Sequence, residues 1–252
     1  MKRRKITVGV TGLNNIDSPG PGIPVIRALK ESREFDVRIV GLSYETLEPG
    51  IYMQELVDKV YQLPLPTAGT TVLKERLQYI HEAEKPDVII PNFDAELHNF
   101  IKISQWMQEE LNMATFLPSH DAFEERQKAG LNKFGEKYGV RVPASHMISQ
   151  VQELKKLEEE IDYPMVIKGR YYDAYIVSSL EQASSYFYKI VAKWGYPVIV
   201  QEFVNGTEVN VTALGNGKGT CIGAVPMRKL YITDKGKAWS GISSFLIDTA
   251  PI

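Results

Sequence analysis

Val198-Ile199-Val200-Gln201-Glu202-Phe203-Val204-Asn205-Gly206-Thr207-Glu208 is a strand running into a turn. Aliphatic β-branched residues open it, and Asn205-Gly206 closes it with the residue types that tolerate turn geometry. A companion stretch lies upstream: Tyr163-Pro164-Met165-Val166-Ile167-Lys168-Gly169, an apolar run that leaves one ammonium at its tip. Such a strand can aim that charge into a cleft, where a phosphate would pair with it. The other reading of Lys168 is a side chain that emerges into solvent at a strand end. At the turn, backbone groups of residues 201–204 are free to hydrogen-bond a flat heterocycle, and Phe203 and Val204 offer apolar surface beside them. Glu208, at the start of the next strand, can accept bonds from two hydroxyls or can simply be an edge acid.

Working outward, Glu208 to Leu214 and Thr220 to Val225 alternate as strands, and Asn216-Gly217 between them is a hairpin signal. Tyr175 to Ser178 reads as a strand and Leu180 to Trp194 as a helix, within which Tyr186, Phe187 and Tyr188 read as packing residues. Helices are expected from about residue 121 to Tyr138, where Gly139 stops the last. This half is therefore α+β with an antiparallel component. The first half alternates differently. Strands are expected at Ile6–Thr11, Val37–Gly41, Tyr61–Leu65, Asp87–Pro91 and Thr115–Leu117, and helices at Ile23–Lys30, Thr71–Ala83 and Ala95–Leu111. That order predicts an α/β, Rossmann-like domain with a parallel sheet. The character changes near Leu117-Pro118-Ser119-His120, so the expected domains are 1–118 and 119–252.

Composition narrows the class. The 252 residues carry a formal net charge of −2, with 44% hydrophobic and 24% charged residues, ordinary for a globular chain. No global charge draws it to nucleic acid or anionic membrane. No run of about 18 apolar residues is present, so no membrane helix is expected. The basic start Met1-Lys2-Arg3-Arg4-Lys5 is followed by too short an apolar stretch for a signal peptide. A lone cysteine, Cys221, allows no intrachain disulfide and fits a reducing cytoplasm. His81, His98, His120 and His146 show no metal-ligand spacing.

In the order Arg126-Gln127-Lys128, Lys137 to Pro143, Tyr163 to Gly169 and Val198 to Glu208, the second half resembles the ATP-grasp superfamily, in particular its carbamoyl-phosphate-synthase and biotin-carboxylase-like branch. The resemblance runs from about residue 118 onward, and the first half fits the domain that precedes the grasp in that branch. It implies a small lobe at about 140–202 and the start of a large lobe at 203–252. By resemblance, Lys128 is the first nucleotide lysine and Lys168 the second, and Gln201 holds the place of the adenine-amino partner, usually Glu. Glu202 lies beside it. Phe203 and Val204 are the hinge, and Glu208 is the ribose acid. Val225-Pro226-Met227-Arg228-Lys229-Leu230, with Gly236 and Trp239-Ser240-Gly241, resembles the family's basic strand and loop, so Arg228 and Lys229 would face a triphosphate or acylphosphate. The implied activity is ATP-dependent ligation: a carboxylate becomes an acylphosphate, which an amine or similar nucleophile attacks. The implied cofactors are ATP and Mg²⁺, and the implied partners are small carboxylates and amines.

Two departures stand out. The loop after Lys168, glycine-rich in the family, reads Gly169-Arg170-Tyr171-Tyr172-Asp173-Ala174-Tyr175, so Arg170 would have to replace backbone amides at the phosphates. The acidic residues and Asn that hold Mg²⁺ are expected after Asp248, so the reading is a fragment, a truncated gene product or a split subunit, and the expected macromolecular partner is a second copy in a homodimer or a complementary C-terminal chain. A nucleotide-binding or regulatory protein with no chemistry is the alternative. A third reading is an unrelated two-domain protein that uses the loop Gly12–Gly22 for a dinucleotide, although that loop does not match G-x-G-x-x-G. Finally, Asp94 or Glu96, at the C-terminal edge of a buried strand, would either bind an amine or cap the following helix.

Overall fold

A computed structural model describes residues 3–16, 18–126, 130–170, 173–232 and 238–243. In chain order the elements are β1 (Arg4–Val10), β2 (Asn15–Ile16), β3 (Ser18–Pro19), α1 (Gly22–Lys30), β4 (Phe35–Ser43), β5 (Lys59–Gln62), α2 (Thr70–Glu84), β6 (Val88–Ile90), α3 (Asp94–Leu111) and α4 (His120–Glu125). They continue as α5 (Leu131–Tyr138), β7 (Ser145–Ile148), α6 (Glu153–Leu157), β8 (Met165–Lys168), β9 (Ala174–Val177), α7 (Leu180–Trp194), β10 (Val198–Glu202), β11 (Val209–Gly215), β12 (Cys221–Ile232) and β13 (Ala238–Ser243). The chain divides into two compact units, Met1–Phe123 and Glu124–Ile252.

The first unit is built on a four-stranded sheet of order β5-β4-β1-β6, with β4 parallel to β1 and β5, and β6 parallel to β1. Its central strands are buried without alternation: Val8 and Val10 in β1, and Ile39, Val40 and Leu42 in β4. That pattern belongs to a sheet covered on both faces. The helices supply the cover through apolar residues at helical spacing, Leu73, Leu77 and Ile80 in α2 and Phe100, Ile103, Met107 and Leu111 in α3. The chain runs from β1 to β4 and β5 on one side and then returns to β6 on the other, so the strand order reverses at β1.

The second unit holds a four-stranded antiparallel sheet of order β7-β10-β8-β9 and a three-stranded antiparallel sheet of order β11-β12-β13. Side chains alternate across a strand. Met165 and Ile167 of β8 and Val198 and Val200 of β10 therefore share one face, and they pack with Ala183, Phe187 and Ile190 of α7. The other face carries Val166, Lys168, Ile199 and Gln201. Helix α7 begins where the Ser179 hydroxyl accepts the Gln182 amide and ends at Gly195, whose φ of 73° a side chain would resist. In the sheet β11–β13, Val211, Val225 and Trp239 are exposed. Among the described residues no helix is long and apolar enough to cross a membrane.

One local expectation needs correction. Thr115–Leu117 is not a strand: pairing there is confined to an isolated bridge between Val88 and Ala114. Helices follow from about residue 121 as expected, α4 ending at Glu125 and α5 running from Leu131 to Tyr138, with Gly139 next. Replacing Phe187 by Ala is expected to cost about 3–5 kcal/mol, because it empties the centre of the α7 contact. Urea unfolding measures it, and a loss below about 1 kcal/mol would contradict this account of the core.

Candidate functional site

The antiparallel register of β8 and β10 sets Ile199 opposite Lys168 and Gln201 opposite Val166. Lys168 and Gln201 thus lie on one face as diagonal neighbours, within reach of each other's long side chains. The Lys168 ammonium donates to Gln201 Oε1. An ammonium can only donate, so the carbonyl end of the amide must face it and the NH₂ end must face away. Gln201 Nε2 accordingly donates to Ser145 Oγ at 2.7 Å, on the neighbouring strand β7. Gln201 is only 7% exposed, and with both ends of its amide bonded it is rigidly oriented. One buried side chain therefore ties three strands together and fixes the position of a cation.

The residues that follow diverge in role. Glu202 is exposed, and its carboxylate accepts the Ala144 amide at 3.1 Å, which spends it on holding β10 to the chain before β7. Phe203 is half-buried and Val204 exposed, directly beyond the end of β10. Glu208 and Lys229, assigned separate duties by sequence, form an ion pair with each other. Arg228 is exposed and sits between Val209 and Ile242 in register. Arg170 is exposed just beyond β8. Lys128, Gly236 and Asp248 lie outside the described residues. Among the described residues of the second unit, no three acidic or histidine side chains converge on one point. These residues therefore do not by themselves make the octahedral oxygen cage that Mg²⁺ takes.

In the first unit, two amides of the loop after β1 bond within the loop. Gly22 N donates to Gly12 O at 2.9 Å and Gly20 N to Asn14 O at 2.8 Å. A Cβ on Gly22 would lie 2.3 Å from Thr11 O, so the glycine there serves the loop's own closeness. At the neighbouring end of β6, Glu96 is 1% exposed. Its Oε1 accepts the Thr11 hydroxyl at 2.5 Å and the amides of Asn92 and Phe93 at 2.6 and 2.9 Å, and its Oε2 accepts the Tyr44 hydroxyl. Glu96 therefore caps α3 and joins the ends of β1, β4 and β6. Burial pushes its carboxyl pKa above the ordinary value, against the lowering effect of these hydrogen bonds. Burial does the same to Glu48, whose Oε1 accepts the Tyr44 amide at 2.7 Å.

No family model matches the sequence. The chain is 27% identical over 222 residues to the N-terminal section of the carbamoyl phosphate synthase large chain of Methanopyrus kandleri, an alignment covering 81% of this chain and 36% of that one. Its fold is similar to a crystal structure of N5-carboxyaminoimidazole ribonucleotide synthetase in its ADP complex, with a TM-score of 0.63 and 16% identity over 92% of this chain and 56% of that one. The chain is related to the ATP-grasp superfamily. An L-amino acid ligase from Bacillus licheniformis has the same fold, with a TM-score of 0.61 and 16% identity over 96% of this chain and 55% of that one. The chain thus spans about a third of the curated relative and little more than half of each solved structure.

The ATP-grasp relationship gives context to two features with no sequence signal. Ser145 lies just after Pro143-Ala144 in a strand too short for a periodic pattern, yet it orients Gln201. Asp173 follows the departure loop at a φ of 63°, a conformation Asp tolerates better than most residues. Its side chain, 7% exposed, accepts Lys193 Nζ at 2.7 Å and Trp194 Nε1 at 2.8 Å. The start of β9 is thereby clasped to the end of α7.

The Glu96 network carries a pH prediction. A carboxyl whose pKa is raised on folding is stabilising below its unfolded value, and that contribution is lost as pH rises toward the folded value. Glu96→Gln cannot ionise. From about pH 4.5 upward, the stability of the wild type relative to Glu96→Gln should therefore fall as pH rises. Thermal melts of both proteins at a series of pH values measure the difference, and a difference that grows in the wild type's favour would contradict the assignment.

Proposed function

We propose that the second unit binds ATP at the face shared by β8 and β10 and that the protein is an ATP-dependent ligase of the ATP-grasp kind. The observation that carries this reading is the contact of Lys168 with the buried Gln201, which lies two residues before the apolar turn at Phe203 and Val204. In this reading the Lys168 ammonium pairs with phosphate oxygens. The second lone pair of Gln201 Oε1 is offered to the amino group of the purine. Backbone groups at Glu202, Phe203 and Val204 hold the base edge, Glu208 the ribose, and Lys128, Arg170, Arg228 and Lys229 the triphosphate. Lys229 would exchange its partner Glu208 for phosphate when the ribose takes that acid. ATP supplies the phosphoryl group that turns a carboxylate into an acylphosphate for attack by an amine or similar nucleophile. Support comes from the relatives: the synthetase named above was crystallised with ADP, and an Aspergillus clavatus carboxyaminoimidazole ribonucleotide synthase of the same fold with ATP. Small carboxylates and amines are the proposed substrates, and a second copy or a complementary chain the proposed macromolecular partner.

A second reading, nucleotide binding without chemistry, is favoured by one observation: Lys229 is paired with Glu208. ADP release from ATP in the presence of Mg²⁺ and a carboxylate separates the two.

ATP at a hundredfold excess over its Kd should add about 2.7 kcal/mol to the stability of the second unit, and NAD should add nothing. Lys168→Met keeps the chain length and removes the charge, so it should abolish the melting shift. A shift that persists unchanged in that variant would remove Lys168 from the site.

A further inference from the structure

Beyond the C-terminal ends of β4 and β5 the first unit has a groove of about 620 Å³, lined by Tyr44, Glu45, Gln62, Leu65, Val72 and Arg76, with Leu63 and Pro64 between. Ligands of parallel α/β sheets collect at this edge, and the volume is within the roughly 300–1,000 Å³ that small-molecule sites take.

The groove is built on fixed groups. Tyr44 is held at three atoms: its hydroxyl donates to buried Glu96, its amide donates to Glu48 Oε1 at 2.7 Å, and its carbonyl accepts Gln62 Nε2 at 3.0 Å. The two buried carboxyls thus set the groove's floor rather than binding a ligand themselves. Arg76 is aimed as firmly. Its Nε donates to Gln62 O at 2.7 Å, and its guanidinium lies over the Tyr79 ring at 4.9 Å and the Tyr61 ring at 5.9 Å. That anchoring uses one edge of the planar fork, and the terminal nitrogens remain for a carboxylate. Glu45 is exposed, and among the described residues nothing bonds its carboxylate. Beside these two charged groups the lining is apolar: Leu65 is 60% exposed and Val72 43% exposed.

One guanidinium, one carboxylate without a partner among the described residues and an aliphatic wall match a molecule that carries an anionic group, a cationic group and an aliphatic side chain. We propose that this groove binds an α-amino acid with an aliphatic side chain, its carboxylate on Arg76, its ammonium on Glu45 and its side chain against Leu65 and Val72. The proposal rests on the first unit alone and stands or falls apart from nucleotide binding by the second.

The test is an amide NMR titration of the full chain with three probes: L-leucine, 4-methylpentanoate, which lacks the ammonium, and 3-methylbutylamine, which lacks the carboxylate. L-leucine is expected to give saturable shifts at Tyr44, Glu45, Leu65, Val72 and Arg76, and each singly charged probe to bind at least about tenfold more weakly, the loss of one charged contact. Arg76→Gln, which keeps a donor for Gln62 O, and Glu45→Gln should each weaken leucine binding by about tenfold or more. Val72→Glu changes only an exposed wall residue and should block binding if either of those variants fails to fold. No saturable shift at millimolar leucine, shifts mapping elsewhere, or unchanged binding in the variants overturns the proposal.

Discussion

A buried amide that must be satisfied at both ends organises the second unit. Gln201 sits on the central strand β10, and its two bonds reach outward in opposite directions, to Ser145 on β7 and to Lys168 on β8. Leaving either end unmet in a buried position costs on the order of 1–3 kcal/mol, so the three strands are held in one register. The same constraint fixes the Lys168 cation against Gln201, two residues before Phe203 in the chain. The opposite face of the sheet is a dry core closed by α7. A charged site on one face therefore rests on a rigid apolar platform on the other, which is how a short sheet can hold a functional group in place.

The first unit uses buried acids for a similar end. Glu96 and Glu48 draw the ends of β1, β4 and β6 together through Thr11, Tyr44, Asn92 and Phe93. At the reversal of strand order, where doubly wound folds commonly hold a ligand, these intrachain bonds are joined by the Gly20 and Gly22 amides, which bond within the loop after β1. This argues against a dinucleotide on the Gly12–Gly22 loop and moves attention to the neighbouring groove past β4 and β5, where fixed charges face solvent.

The layered architecture was legible because it depends on periodicity. Unbroken apolar runs such as Val8 to Val10 mark parallel strands, and the spacing of Leu73, Leu77 and Ile80 marks a covering helix. Lys168 was legible as a lone charge on an apolar strand, and Glu96 as a helix cap. Register was not legible. That Gln201 meets Lys168 rather than the residue it opposes, that Ser145 completes the triad and that Glu208 consumes the charge of Lys229 all follow from strand pairing between distant segments. The clasp of Asp173 on Lys193 and Trp194 was hidden for the same reason. Thr115–Leu117 failed because β-rich composition alone does not provide a partner strand. The relationship to ATP-grasp proteins was visible in the order of the segments, each of which is weak when taken singly.

The central claim is that a purine nucleotide lies at the Lys168–Gln201 junction. Photolabelling with 8-azido-ATP, followed by peptide mapping, tests it directly. The account predicts label on the segment Val198–Glu208, suppressed by excess ATP and not by NAD. Label concentrated on the Gly12–Gly22 loop, or insensitive to ATP, would contradict it.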